Sequence, residues 1–493
     1  MSGVRLGRVR ISAGLSMHKI RSLLLLATLT LVGAPAPLFA QASPQHEVPG
    51  GLRGAYAGDF AHDPEALARL SVLTGPAPCT EGRAAGLFAC EGVGLQGFVP
   101  LSALVPGSTS VSNLWGFVDL DDRREYAVVG VSHGTAVVDV TDAARPSVVG
   151  SVPGPESIWR EVKVYQVWNE ARRRHDAYAY VVSEAQGAGL QIIDLSNLPD
   201  SISLAATWRG FDTAHTVFLA NVDPASGTPN VPGVAPVLYI EGSNVDFLSL
   251  DISRPESPVA TGRLINSYVH DIWAGVFRGE RAAACAPGHD PCEIVADWGG
   301  GAVTFIDFTR KSDPVILSAL RYDELAYAHS GWISRDGRYL FSFDEQDELV
   351  GGGRSRIRVV DISDFTRPTV AAIWTSPTEA IEHNGYVVGD KLYVSYYTRG
   401  IEILDVTQPT SPREIGFFDT FPRDDAADFH GAWGVYPFLP SGSLLVSNID
   451  GAGGLFVLEE SVAGVSPPPD VPREPIDPVS PRPRNTRRLP GAR

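Results

Sequence analysis

No segment of the chain reads as an H-E-x-x-H metalloprotease helix or as a P-loop, so two well-marked hydrolytic and nucleotide-binding chemistries are missing. Positive charge is also in deficit, with 40 Lys and Arg against 57 Asp and Glu. The resulting net charge of −17 repels nucleic acid and anionic lipid surfaces, excludes both as expected partners, and favours cations. Cysteine is scarce, four residues in 493, and stands as two close pairs, Cys79 with Cys90 and Cys285 with Cys292. In an exported chain each pair is expected to form a disulfide, and the lack of a Cys-x-x-Cys companion argues against structural zinc.

Long apolar runs are confined to the first 42 residues, where Arg5, Arg8, Arg10, Lys19 and Arg21 precede LLLLATLTLVGAPAPLFA. With the small-x-small site Ala40-Gln41-Ala42, residues 1–42 read as a secretory signal peptide. An uncleaved anchor fits less well, because Gly33, Pro35 and Pro37 interrupt the run and it falls short of the ~20 residues a spanning helix needs. Cleavage leaves 35 Lys and Arg against 57 Asp and Glu, a net charge of −22, and no transmembrane segment. The expected location is therefore secreted, periplasmic or extracellular.

What the chain has in quantity is repetition. A β-branched run ending in Asp recurs as AVVDV at Asp139, QIIDL at Asp194, LSLDI at Asp251, TFIDF at Asp307, RVVDI at Asp361 and EILDV at Asp405. A degenerate copy, LFVLEE, ends near Glu459. Intervals of 55, 57, 56, 54, 44 and 54 residues fit a four-stranded propeller blade with variable loops. Six copies at one turn position mark a structural cap, since each Asp can accept hydrogen bonds from the Thr- and Ser-rich turn that follows.

The expected fold is all-β: a propeller of seven blades of four antiparallel strands, closed by an N-terminal strand near 93–104. Residues 43–91 form an N-terminal segment with a cysteine loop and a short helical stretch over 62–73; residues 92–460 hold the repeats. Residues 461–493 are rich in proline, lack apolar periodicity, and read as an extended tail.

The repeated Asp-ended segments resemble the LVIVD repeats of the bacterial secreted proteins classed as choice-of-anchor B. The stretch CTEGRAAGLFACEGVGLQGFVPLSAL, from Cys79 to Leu104, resembles that family's cysteine-paired leader into its first strand. The resemblance covers roughly residues 79–460. It implies an exported propeller-like domain attached to the cell surface by differing C-terminal signals, none of which is recognisable here. It implies no reaction.

The most suggestive chemistry lies at the blade openings: His215 in AHTVF, His270 in VHDIW, His329 in AHSGW, His383 in EHNGY and His430 in FHGAW. Equivalent positions of successive blades converge around the axis, and neutral imidazoles with nearby carboxylates suit zinc, manganese, iron or copper. Glu161, Asp271 and Glu382 are the candidate carboxylate ligands, with Glu241, Asp297, Asp344 and Glu345 close to the same openings. The competing reading is structural: each His bonds to the neighbouring blade, and its aromatic partner, Phe218, Trp273, Trp332, Tyr386 or Trp433, packs between blades. Ser132 and His133 are expected on opposite faces of a strand, and so not paired.

No cofactor follows with certainty from these residues; a divalent or transition metal ion is compatible with them. The reading preferred on sequence is a non-enzymatic binding scaffold for a protein or glycan. The alternative is a metal-dependent hydrolase, or other metalloenzyme, with a His-lined axial site.

Overall fold

The computed structural model describes residues 75–265, 267–450 and 453–461. The signal peptide expected over 1–42, the helical stretch expected over 62–73 and the tail beyond Ser461 lie outside the described residues.

Seven separate antiparallel sheets are present, spanning 111–153, 160–208, 216–264, 271–320, 328–375, 385–418 and 432–460, and we number the blades in that order. In blades 1 to 5 consecutive strands are neighbours, so each is a simple meander, whereas blades 6 and 7 also take up strands from the N-terminal region. In blade 1 the strands Glu125–Val131 and Gly134–Asp139 are buried along their whole length, because both faces of the sheet pack against neighbours. The outermost strand Thr369–Thr375 of blade 5 instead alternates exposed and half-buried residues, as a strand with one wet face must.

The Asp-ended run supplies the third strand of each of the first six blades. Pairing with the fourth strand slips by one residue at Val137/Val138, Ile192/Ile193, Ser249/Leu250, Phe305/Ile306, Val359/Val360 and Ile403/Leu404. Each slip ends one residue before the repeated Asp, so the two residues that precede it face a recurrent bulge that twists the outer strand. The Asp then caps the turn: Oδ1 of Asp139, Asp194, Asp251, Asp307, Asp361 and Asp405 accepts the backbone N–H two residues on, at 2.7–3.0 Å.

Two expectations about the ring are corrected. First, among the described residues no sheet is closed on itself by hydrogen bonds, and an N-terminal strand does not close the ring in that sense. Strand Val93–Pro100 pairs with Gly454–Glu460 as the fourth strand of blade 7, and Leu95 also bridges Ala77. Blades stack face to face, and the ring is held around its circumference by packing between sheets together with interblade hydrogen bonds such as the backbone bridges Gly300–Ala328 and Tyr397–Ala432. Second, blade 6 has six strands, not four: its outer strand Arg413–Phe418 pairs with Phe88–Glu91, which pairs with Arg83–Ala84. Disulfide Cys79–Cys90 secures this hairpin, and Phe88 packs on Phe418 and Phe456 with ring centroids 5.4 and 5.6 Å apart. The second disulfide, Cys285–Cys292, lies at the entry to the second strand of blade 4.

Candidate metal centre at the axial mouth

The inner strands of blades 3 to 6 each receive a histidine at their axial end. His215, His270, His329 and His383 form a row with successive ring centroids 4.3, 4.3 and 4.5 Å apart. Close to the row, Gly331, two residues after His329, makes room for the Trp298 ring: a Cβ there would lie 2.2 Å from it.

A single bonding rule orients three of the rings. Nδ1 of His270 donates to the His329 carbonyl (3.1 Å), Nδ1 of His329 to the His383 carbonyl (3.1 Å), and Nδ1 of His383 to the Trp433 carbonyl (2.6 Å). A carbonyl can only accept, so Nδ1 carries the proton and Nε2 the lone pair in each neutral ring. This is the outer-shell arrangement that fixes histidine tautomers in metal sites. His215 differs, with Nδ1 2.6 Å from the Glu184 carboxylate. Burial pulls its pKa down, but the Glu184 hydrogen bond and the charges of Glu184, Glu345 and Glu161 outweigh that and leave it raised. Burial is decisive at His383, whose pKa is pulled down to about 3, so the ring is neutral.

Glu345 completes the cluster. Its two carboxylate oxygens lie 3.6 Å from His329 Nε2 and 3.6 Å from His383 Nε2. All three side chains are buried and their candidate ligand atoms fall within 4.8 Å of one another. Burial raises the Glu345 pKa to about 7, and the Tyr397 hydroxyl donates to its Oε1 at 2.7 Å. Tyr397 has φ 28°, a left-handed conformation unfavourable for a bulky residue, and its ring packs on those of His383 and Phe429 at 4.9 and 5.2 Å. Sequence gave no signal for Tyr397, because its role depends on that backbone kink. The cavity at this mouth has a volume of about 30 Å³ and is lined by the four histidines and by Trp433.

The other residues singled out on sequence are distributed differently. His430 stands apart from the row: Nδ1 lies 3.0 Å from Asp450 and the ring stacks on Phe421 at 5.2 Å. The inner strand of blade 7 slips between Ala432 and Gly434 as that of blade 5 does between Ala328 and Ser330, so Trp433, not His430, holds the position that His329 holds in blade 5, and it lies beside His383. Glu161 is held by Lys163 and Asn113, next to the row, and half-buried Asp271 has its pKa raised to about 7 by desolvation. Glu241, pushed well up by burial and by Asp271, accepts from Thr216 at 2.6 Å. Asp297 is buried, and Asp344 accepts the backbone N–H groups of Ala326 and Tyr327. Glu382 turns to Asp347 and Glu348.

Three sequence patterns resolve into structural features. Residues 130–134 spell G-x-S-x-G, and Ser132 Oγ lies 3.0 Å from His133 Nδ1, contrary to the expectation that the two face apart. They occupy the hairpin turn between two strands, where alternation does not apply; Ser132 is 1% exposed and accepts from Thr109 N, so it clasps the turn. Residues 92–97 spell G-x-G-x-x-G, but chiefly within the antiparallel strand Val93–Pro100, without the strand–helix turn that cradles a phosphate. Asp307, near Cys285 and Cys292, is engaged by His289 at 2.7 Å while the cysteines are bonded to each other.

These features define a seven-bladed β-propeller whose axial mouth carries a histidine–carboxylate cluster able to hold a divalent or transition metal ion. Two of its segments, residues 175–205 and 386–420, match the LVIVD repeat model. No curated protein matches the chain. Similar solved structures include the β-propeller domain of Myceliophteria thermophila Cps50 (Swd1), at 10% identity and TM-score 0.43 over 72% of this chain and 98% of that one. Another is a putative 6-phosphogluconolactonase from Bacteroides uniformis, at 11% identity and TM-score 0.43 over 69% and 89%. Among the described residues no helix is long and apolar enough to cross a membrane.

Proposed function

We propose that the axial mouth is a transition-metal centre held by His329, His383 and Glu345, and that the protein is an exported metal-dependent enzyme, a hydrolase acting on a small polar group presented at that mouth. The observation that carries this reading is the pair of 3.6 Å separations from Glu345 to the two Nε2 atoms. They are too long for hydrogen bonds, yet close to the roughly 3.3–3.5 Å edge of a tetrahedron whose metal–ligand bonds are about 2.0–2.1 Å. The donor set of imidazole nitrogen with carboxylate oxygen suits zinc, manganese, iron or copper.

A divalent ion bound there supplies Lewis acidity and lowers the pKa of water. The chain's own part is to keep His383 neutral by burial, to fix the Nε2 lone pairs through the blade-to-blade Nδ1 bonds, and to orient Glu345 through Tyr397. A cavity of about 30 Å³ leaves room for a water-sized group.

The leader read in residues 1–42 and the two disulfides support export, and the likeness of residues 79–104 to the choice-of-anchor B leader supports membership of that family and a surface role. A second reading, a binding scaffold for a protein or glycan, draws support from the same Nδ1 bonds, which also staple one blade to the next.

The test is metal analysis of the mature protein purified without chelator or affinity metal, beside a variant carrying His270→Ala, His329→Ala and His383→Ala. A near-stoichiometric transition metal that the variant lacks is expected, followed by hydrolase and oxidase screens. No metal in either protein, with the variant less stable, would leave the row as a blade staple.

A further inference from the structure

A second cluster of a different chemical kind lies beside blade 5. Asp347 and Glu348, on the short helix Asp347–Gly351, meet Glu382, and candidate ligand oxygens of the three residues fall within 4.8 Å of one another. All three are buried, with Glu348 4% exposed. Glu382 is anchored by the Asp344 backbone N–H and by Ser355 Oγ. Both carboxylate oxygens of Glu348, and Oδ1 of Asp347, are buried with no hydrogen-bond partner. An orphaned buried carboxylate costs several kcal/mol, so Glu348, with the free Oδ1 of Asp347 beside it, calls for a missing partner.

Charge gives the sign and size of that partner. Arg358, 2% exposed, bonds Asp347 at 2.5 Å, and Arg356 is shared between Asp347 and the exposed Glu324. Asp347, Glu348 and Glu382, with Asp344 buried beside them and the exposed Glu324 beyond, outnumber the two guanidinium groups, and a divalent cation offsets the excess negative charge. The donors are all oxygen, which selects a hard cation such as calcium, magnesium or manganese over the softer metals that suit imidazole.

We propose that Asp347, Glu348 and Glu382 bind a hard divalent cation, separate from the axial histidines. The site fastens the 345–356 excursion of blade 5 to the residue that precedes His383, and it stands whether or not the axial cluster holds a metal.

The test uses the full mature chain, dialysed against EGTA and titrated with Ca²⁺ by calorimetry, with Mg²⁺ and Mn²⁺ as further arms. The expected result is one site per chain, weakened roughly tenfold or more by Glu348→Gln and unchanged by His329→Ala. Glu348→Lys, which places a fixed positive charge in the pocket, is expected to fold and to bind no cation. Wild-type protein that binds none of the three ions overturns the proposal and assigns the pocket to protons shared between carboxylates. Equal affinity in wild type and in a folded Glu348→Gln or Glu348→Lys variant overturns it by placing the ion elsewhere.

Discussion

The Nδ1–H of His383 donates to the carbonyl oxygen of Trp433 across 2.6 Å, tying the imidazole of blade 6 to the inner strand of blade 7. The same bond repeats one blade back from His329 to His383, and once more from His270 to His329. Each of these three rings is thus positioned by the blade that follows it, and a metal site built on them depends on the ring as a whole.

His383→Ala and His430→Ala should therefore behave differently, although both histidines precede an aromatic by three residues. His383→Ala is expected to abolish axial metal. Its stability cost should stay near about 1–2 kcal/mol, because Ser395 Oγ also donates to the Trp433 carbonyl at 2.9 Å. His430→Ala is expected to leave metal content intact. Metal analysis beside urea denaturation checks both, and equal metal loss in the two variants would sink the assignment.

Tyr397→Phe removes the hydroxyl that orients Glu345 and leaves the ring packing in place. Metal affinity should fall by roughly 10- to 100-fold with little change in the melting temperature. Competition with a chromogenic chelator reads the affinity directly; an unchanged value would show that Tyr397 does not position the ligand.

The Asp caps predict acid sensitivity. Hydrogen bonds from Thr407, and then Arg413, hold the Asp405 carboxyl below its ordinary value. Its folded pKa is lower than its unfolded one, so its contribution is present above about pH 4 and is lost as pH falls through the folded value. Asp405→Asn keeps a turn-capping oxygen but loses the ion pair with the largely exposed Arg413. The variant should be less stable at pH 7 by up to about 1 kcal/mol, with the difference shrinking as pH falls through the folded pKa of Asp405. Denaturant midpoints across that range test this.

Asp419 predicts the opposite slope. Burial pushes its pKa up to about 7. Its ionised form is disfavoured in the fold, so the penalty is absent below about pH 4, grows as pH rises, and is complete above about 7. Asp419→Asn, which can still accept from Phe421 N–H, should raise stability at pH 8 by a few kcal/mol at most and leave it unchanged at pH 4. A variant no more stable at pH 8 than at pH 4, relative to wild type, would show that the carboxylate is solvated after all.

Much of the architecture is visible in the chain because the Asp-ended runs carry two local instructions together: β-branched residues that make a strand, and an Asp that caps the next turn. Seven blades follow from counting them. The hydrogen-bonded closure did not follow, because counting strands does not reveal in which direction their ladders run. The cysteine hairpin, which lies on the edge of blade 6, carries no pattern that names its partner strand. At the axis, the His-x-x-aromatic spacing located four of the row but also drew in His430, whose spacing is identical. In blade 7 Trp433 takes the register position that His329 holds in blade 5, which leaves His430 three residues before it, and such a shift of register leaves no mark in composition. Ser132 and His133 were misjudged for a related reason: the turn begins one residue earlier than the apolar run suggests.

Blade 7 is assembled from strand Val93–Pro100 and three strands that follow residue 431. During synthesis its outermost strand is made first and its partner Gly454–Glu460 last, so for nearly the whole of translation one apolar edge waits for a segment that does not yet exist. Whatever machinery handles the emerging chain must shield that edge until the end. A stop codon or protease cut before residue 454 should therefore yield not a propeller short of one strand but an aggregation-prone array of blades in which Val93–Pro100 lacks its partner strand and the last sheet is unfinished.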